Sequence, residues 1–259
     1  MRGALPTPIR ERIVLGASLA MVCALAWGFT AWHAHATNHV MDAMEGMEGP
    51  VAWEAGRTAA MFLMWLVMMV AMMLPAVFPM VDAFAAISRQ RREHKAPYVA
   101  TAFFVGGYLL AWSGYSALAT AAHWGLERSG LIDTMMRSTS GMLAGALFLA
   151  AGLYQWTPLK RVCLSRCRSP IGFMLTEWRD GRTGAIVMGL RQGAFCVGCC
   201  AVLMSLLFAV AVMNVLWVAA LTVLVMIEKL LPCERFWRHA IGASLTLAGV
   251  AWMVRTLLA

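Results

Sequence analysis

Between Arg191 and Glu228 the chain runs for 36 residues, 192–227, without one charged side chain. As a single straight helix that run would be about 54 Å long, nearly twice the ~30 Å hydrocarbon core of a bilayer. The pair Met213-Asn214 is its polar interruption, and a break into two helices is expected there. Similar charge-free runs occupy 13–32, 58–81, 98–124 and 138–157, with a shorter one at 240–254. With 61% hydrophobic and only 13% charged residues, the chain cannot cover its apolar surface in water. The expected class is therefore all-α, a polytopic transmembrane helix bundle forming one membrane domain over 1–259. Seven helices are expected. Six with a re-entrant end is the alternative, because the last two segments are short.

Loop charges orient the bundle. With the N-terminus in the cytoplasm, 16 of the 21 basic residues fall on the inner side, and four, Arg57, Arg128, Arg137 and Arg255, fall outside. That asymmetry is the positive-inside signature of a multi-pass inner-membrane protein. It also explains the formal charge of +8 without nucleic acid. The first apolar run is followed by Ala34-His35-Ala36, which resembles a signal-peptide cleavage site. The run is longer than a signal core, so an uncleaved anchor is expected.

The outer segment, placed as a loop over 33–57, holds His33, His35 and His39 together with Met41, Met44 and Met47. Imidazole and thioether together suit copper, and thioethers favour Cu(I) over harder ions. A polar loop, or a short helix burying its methionines on the membrane, is the competing reading. In the next apolar run Met61, Met64, Met68 and Met72 share one helical face, with Met69 and Met73 beside it. Pro75 removes a backbone donor just beyond and is expected to kink the helix. Methionine also fills gaps in membrane helices, so packing and a metal path both remain open.

The stretch RQGAFCVGCC ends in Cys196, Cys199 and Cys200. On a helix Cys196 and Cys200 share a face, and Met204 extends it. Soft donors in this pattern suit Cu(I). Arg191 is expected to face the bundle, with Glu228 or a cysteine thiolate as its neighbour, because a lone intramembrane charge usually finds a partner. The basic inner loop over 159–182 adds Cys163 and Cys167, whose surrounding arginines suit lipid headgroups as readily as a metal. Cys23 is read as packing.

The combination MMVAMMLPA, QWTPLKRVCLSRCRSP, RQGAFCVGCC, Met213-Asn214 and Glu228-Lys229 resembles a bacterial family catalogued as predicted metal-binding integral membrane proteins. The resemblance covers roughly residues 60–252 and implies a polytopic inner-membrane protein that binds metal, plausibly copper. Members often carry Trp directly after the adjacent cysteines, where this chain has Ala201.

Two functions follow. In the first, the chain is a copper transporter or membrane copper chaperone that gathers Cu(I) at the outer His/Met segment and passes it along the methionine face. The clustered cysteines then hold it, for exchange with a donor or acceptor protein. In the second, it is a thiol–disulfide oxidoreductase using the Cys196/Cys199 pair. The first, non-enzymatic role uses the methionines and histidines, which the second leaves idle. No nucleotide-binding loop, paired catalytic carboxylates or serine nucleophile is visible, so an ATP-driven pump is not expected.

Overall fold

The computed structural model describes residues 9–43, 53–93, 101–133, 138–210, 212 and 214–258. Among them the chain forms ten helices and no strand. These are α1 (Ile9–Ala43), α2 (Ala55–Glu93), α3 (Thr101–Arg128), α4 (Gly141–Tyr154) and α5 (Pro158–Cys167). They continue as α6 (Pro170–Glu177), α7 (Gly181–Met204), α8 (Leu207–Val210), α9 (Val215–Leu230) and α10 (Glu234–Leu258).

Five segments are long and apolar enough to cross a membrane: Arg12–Ala36, Ala55–Arg91, Thr101–Arg128, Gly181–Val210 and Glu234–Leu258. A sixth arises if α4 and α5, bent by 68° at their junction, count as one. The bend has a local cause. Thr157 caps α5 by accepting from the Lys160 amide, and Pro158 takes the first-turn position where its missing N–H costs nothing. A count of seven requires α9 as well, whose 16 residues reach about 24 Å.

The break expected at Met213-Asn214 is present but wider and earlier. Helix α7 ends at Met204, and α8 is a single turn. Helix α9 then begins where Asn214 Oδ1 accepts from the Trp217 amide at 3.1 Å, an N-cap that the side chain's short reach suits. Of the segment 33–57 expected as a loop, the described residues 33–43 and 55–57 are helical. His33 and His35 lie on the last turns of α1, which continues to Ala43. His39 and Met41 fall on its backbone with side chains outside the described residues, as are Met44 and Met47 altogether.

Helices α3 and α7 form the most extensive pairing. A Cβ on Gly107 would collide with the Ile186 carbonyl, and one on Gly189 with that of Phe104. Only glycine lets these backbones approach so closely, as small residues do in lipid. Helix α2 packs on both α1 and α3 and continues through Pro75 and Pro79. Pro75 has no N–H to give the Ala71 carbonyl four residues back. That carbonyl instead accepts from Trp27 Nε1 at 3.1 Å and lies 3.5 Å from Cys23 Sγ, both on α1. Cys23 thus helps seat α1 on the proline-freed carbonyl. An interhelical bond of this kind contributes about 0.6–1.7 kcal/mol in a bilayer protein. Trp27→Phe should cost that much in the wild type and close to nothing in a Pro75→Ala background, where the introduced alanine supplies the missing amide. A double-mutant cycle of unfolding in detergent measures the difference.

Candidate metal site

Cys196, Cys199 and Cys200 are all buried on α7. Cys199 Sγ lies 3.2 Å from Cys200 Sγ and 3.1 Å from the Cys196 carbonyl oxygen. Helix α5 folds back against α7 and brings two more thiols. Cys167 Sγ is 3.9 Å from Cys199 Sγ. Cys163 packs so closely that a Cβ on Gly198 would stand 2.8 Å from its sulfur. The pair in the basic segment 159–182 therefore belongs with the cysteines of α7, and five thiols from two helices meet in one region. Tyr154 at the end of α4 donates to the Gly198 carbonyl, and Tyr115 donates to that of Ala201 at 3.2 Å. These bonds hold α4 and α3 to the cysteine turn.

The charge at this cluster comes from α9. Lys229 Nζ is 2.8 Å from Cys196 Sγ, and the lysine is buried. A buried ammonium needs an opposite charge or several acceptors. Its nearest candidate is a thiolate at Cys196. The Tyr108 hydroxyl lies 3.1 Å from the same sulfur and donates to the Met73 carbonyl at 3.3 Å. One side chain of α3 thus joins the cysteine cluster to the methionine face of α2. Met64, Met68, Met69, Met72 and Met73 on that face are buried, Met61 is half-buried, and Met204 is buried at the end of α7.

The expected Arg191 arrangement is corrected. Arg191 pairs with Glu177 at the end of α6, and its side chain is 47% exposed. Glu228 instead receives Lys160 Nζ at 2.8 and 3.0 Å and Gln155 Nε2 at 2.7 Å. The physical reason is depth: Arg191 sits toward the end of the bundle where α6 ends, whereas Glu228 and Lys229 are deeper. Successive helical residues point about 100° apart, so Glu228 turns to α5 and Lys229 turns to α7. Lys229, Tyr108, Lys160 and Gln155 were not singled out from the sequence. For Lys229 a signal existed in the adjacent pair Glu228-Lys229, a double charge ending a long apolar run. Tyr108 carried none.

Chemically, the region offers several thiols beside one ammonium, walled from solvent, with thioethers one hydrogen bond away. Thiolate and thioether donors are those that select Cu(I). Among the described residues, no three His, Cys, Asp or Glu side chains already converge as a closed metal cage. All seven cysteines are free.

No curated protein and no solved structure matches this chain. One family does, described as PpoB2, copper chaperone, over residues 62–252. The matched region contains the methionine face from Met64 onward, all five clustered thiols, Tyr108 and Lys229, and it leaves out Met61 and α1 with His33 and His35. It spans well over half of the 259 residues, and the chain belongs to the PpoB2 copper chaperone family.

Proposed function

We propose that this protein is a membrane copper chaperone that holds Cu(I) at Cys196, Cys199 and Cys200, with Cys167, Cys163 and Met204 completing the donor set. The observation that carries this reading is the meeting of α5 and α7 thiols around the Lys229 ammonium, in a member of a copper chaperone family. Copper is the cargo. One bound Cu(I) with two thiolates carries a single negative charge, which Lys229 neutralises, so a buried site of this composition is electrostatically balanced.

Supply runs along the methionine face of α2, Met61, Met64, Met68, Met69, Met72 and Met73. Exchange between similar soft donors keeps each step shallow enough for the ion to leave. The histidines and methionines of the first outer segment, His33, His35, His39, Met41, Met44 and Met47, gather copper when it is scarce. Seven crossings with a cytoplasmic N-terminus in the bacterial inner membrane fit the distribution of basic residues. The cysteine cluster then lies toward the cytoplasmic half, and an acceptor protein takes the ion by thiol exchange. The alternative, a thiol–disulfide oxidoreductase using the Cys196/Cys199 pair, draws on the same thiols.

Anaerobic titration of the purified full-length protein with Cu(I), followed by X-ray absorption, separates the two. The copper reading expects about one tightly held Cu(I) per chain with sulfur-only ligation. A protein that binds no Cu(I) yet cycles between dithiol and disulfide states overturns it.

A further inference from the structure

His123, on α3, is buried to 1% exposure, and its Nδ1 has no hydrogen-bond partner. On the other side of the ring, Nε2 faces Glu127 Oε2 at 4.0 Å. That is too long for a hydrogen bond but close enough for the carboxylate to favour the proton on Nε2. The carboxylate is itself fixed, accepting from Arg57 Nη2 at 2.8 Å and from Trp53 Nε1 at 3.1 Å. An anchored carboxylate facing Nε2, with Nδ1 partnerless on the other side, resembles the carboxylate–histidine pair that orients metal-ligating imidazoles, here at ion-pair distance without the hydrogen bond. A buried imidazole nitrogen left without a partner is otherwise a cost, so its persistence here points to a ligand.

Its position fits the cargo's route. His123 lies 15 residues beyond Tyr108 on α3, about 22 Å along the helix axis, so it stands far from the cysteines. The Phe208 ring touches both His123, at 6.1 Å between centroids, and Trp65, at 4.9 Å. Trp65 sits on α2 beside Met64 and one turn from Met68 and Met69. The buried methionines therefore fill the interval between His123 and the Tyr108–Cys196 contact. A groove of about 680 Å3 is lined in part by Trp53, Thr120 and Trp124; His123 does not line it, but the Trp53 ring stands 6.0 Å from the imidazole between centroids.

We propose that His123 is the intake ligand for Cu(I) at the end of the bundle opposite the cysteines, presenting Nδ1 while Glu127, held by Arg57 and Trp53, orients the ring. The inference rests on the copper reading above and adds to it a nitrogen donor ahead of the methionines. A single borderline donor binds weakly enough to release the ion to thioethers, as a transit step requires.

The test uses full-length protein in lipid nanodiscs, with Cu(I) supplied from a competing chelator. His123→Phe keeps the ring volume against Phe208 and removes both nitrogens. At limiting Cu(I), loading of the cysteine site should slow by about ten- to a hundred-fold, the range seen when the ordering of a metal ligand is lost. The amount bound at saturation should not change. In a Cys196→Ser, Cys199→Ser, Cys200→Ser background that also carries His33→Ala, His35→Ala and His39→Ala, which keeps no copper once free Cu(I) is removed, X-ray absorption under excess Cu(I) should show a Cu–N(imidazole) contribution that disappears with His123→Phe. Wild-type loading, or a Cu–N signal indifferent to His123→Phe, overturns the proposal while leaving the cysteine site standing. Absence of Cu(I) from the cysteines in the wild type overturns the chaperone reading instead, and the Cu–N comparison still decides the role of His123. Should His123→Phe fail to reach full saturation, Glu127→Gln decides. It keeps the volume, removes the orienting charge and should slow loading about ten-fold, and an unchanged rate counts against the proposal.

Discussion

Replacing Cys196, Cys199 and Cys200 together by serine will reduce Cu(I) at the purified protein from about one ion per chain to background. Serine preserves volume but offers a hard, protonated hydroxyl where a soft thiolate is needed. The substitution also has a structural consequence. Lys229 Nζ lies 2.8 Å from Cys196 Sγ, and a serine hydroxyl can accept its hydrogen bond but cannot balance its charge. Leaving a buried charge uncompensated costs about 3–5 kcal/mol, so the triple variant will also unfold more readily in detergent. Adding Lys229→Met, which fills the same space without charge, should recover most of that stability and none of the copper. Metal analysis beside thermal unfolding separates the two effects. Copper retained near wild-type stoichiometry in the triple variant would remove these thiols from the site.

The helices were legible from charge-free runs because lipid demands internally bonded, apolar segments. The shared face of Cys196 and Cys200 followed from helical period alone, and a break at Met213-Asn214 followed from the length of the charge-free run, which no single crossing can hold. What could not be read was which loops fold back. Cys163 and Cys167 stood in a basic stretch suited to headgroups. Only the 68° bend between α4 and α5, set by Thr157 and Pro158, turns them onto α7, and the 32 residues separating Cys167 from Cys199 hide the contact from any local pattern. The counter-ion was misplaced for a related reason. Arg191 was nearest in sequence to the cysteines, but it lies where α6 supplies Glu177. The deeper Lys229, 33 residues from Cys196, takes its place. His123 was passed over because a lone histidine in an apolar run has no local pattern to mark it. Its meaning depends on Glu127, Arg57 and Trp53 meeting in space.

The second large effect is expected at the ion pair behind the site. Lys160 is fully buried, and Glu228 beside it is 3% exposed. Lys160 Nζ contacts both carboxylate oxygens, and Gln155 donates to one of them. Such a pair adds little net stability over apolar residues, but removing one member strands the other, at about 3–5 kcal/mol. Lys160→Met and Glu228→Gln should each destabilise by that order. Lys160→Met with Glu228→Met should lose less, about 1–3 kcal/mol, because only the Gln155 amide is left unpaired. The pair also has a positional role. It ties α5 to the end of α9, where Arg168 further binds the Glu228 and Leu231 carbonyls at 2.6 and 2.5 Å. The next residue along α9 is Lys229. If the pair acts only by holding α9 in place, the double Met variant will still bind Cu(I) with the wild-type stoichiometry and weaker affinity, because Arg168 continues to fix the height of Lys229 at Cys196. A double variant as unstable as either single one would show that the cost lies in lost packing around α5, with no stranded charge involved.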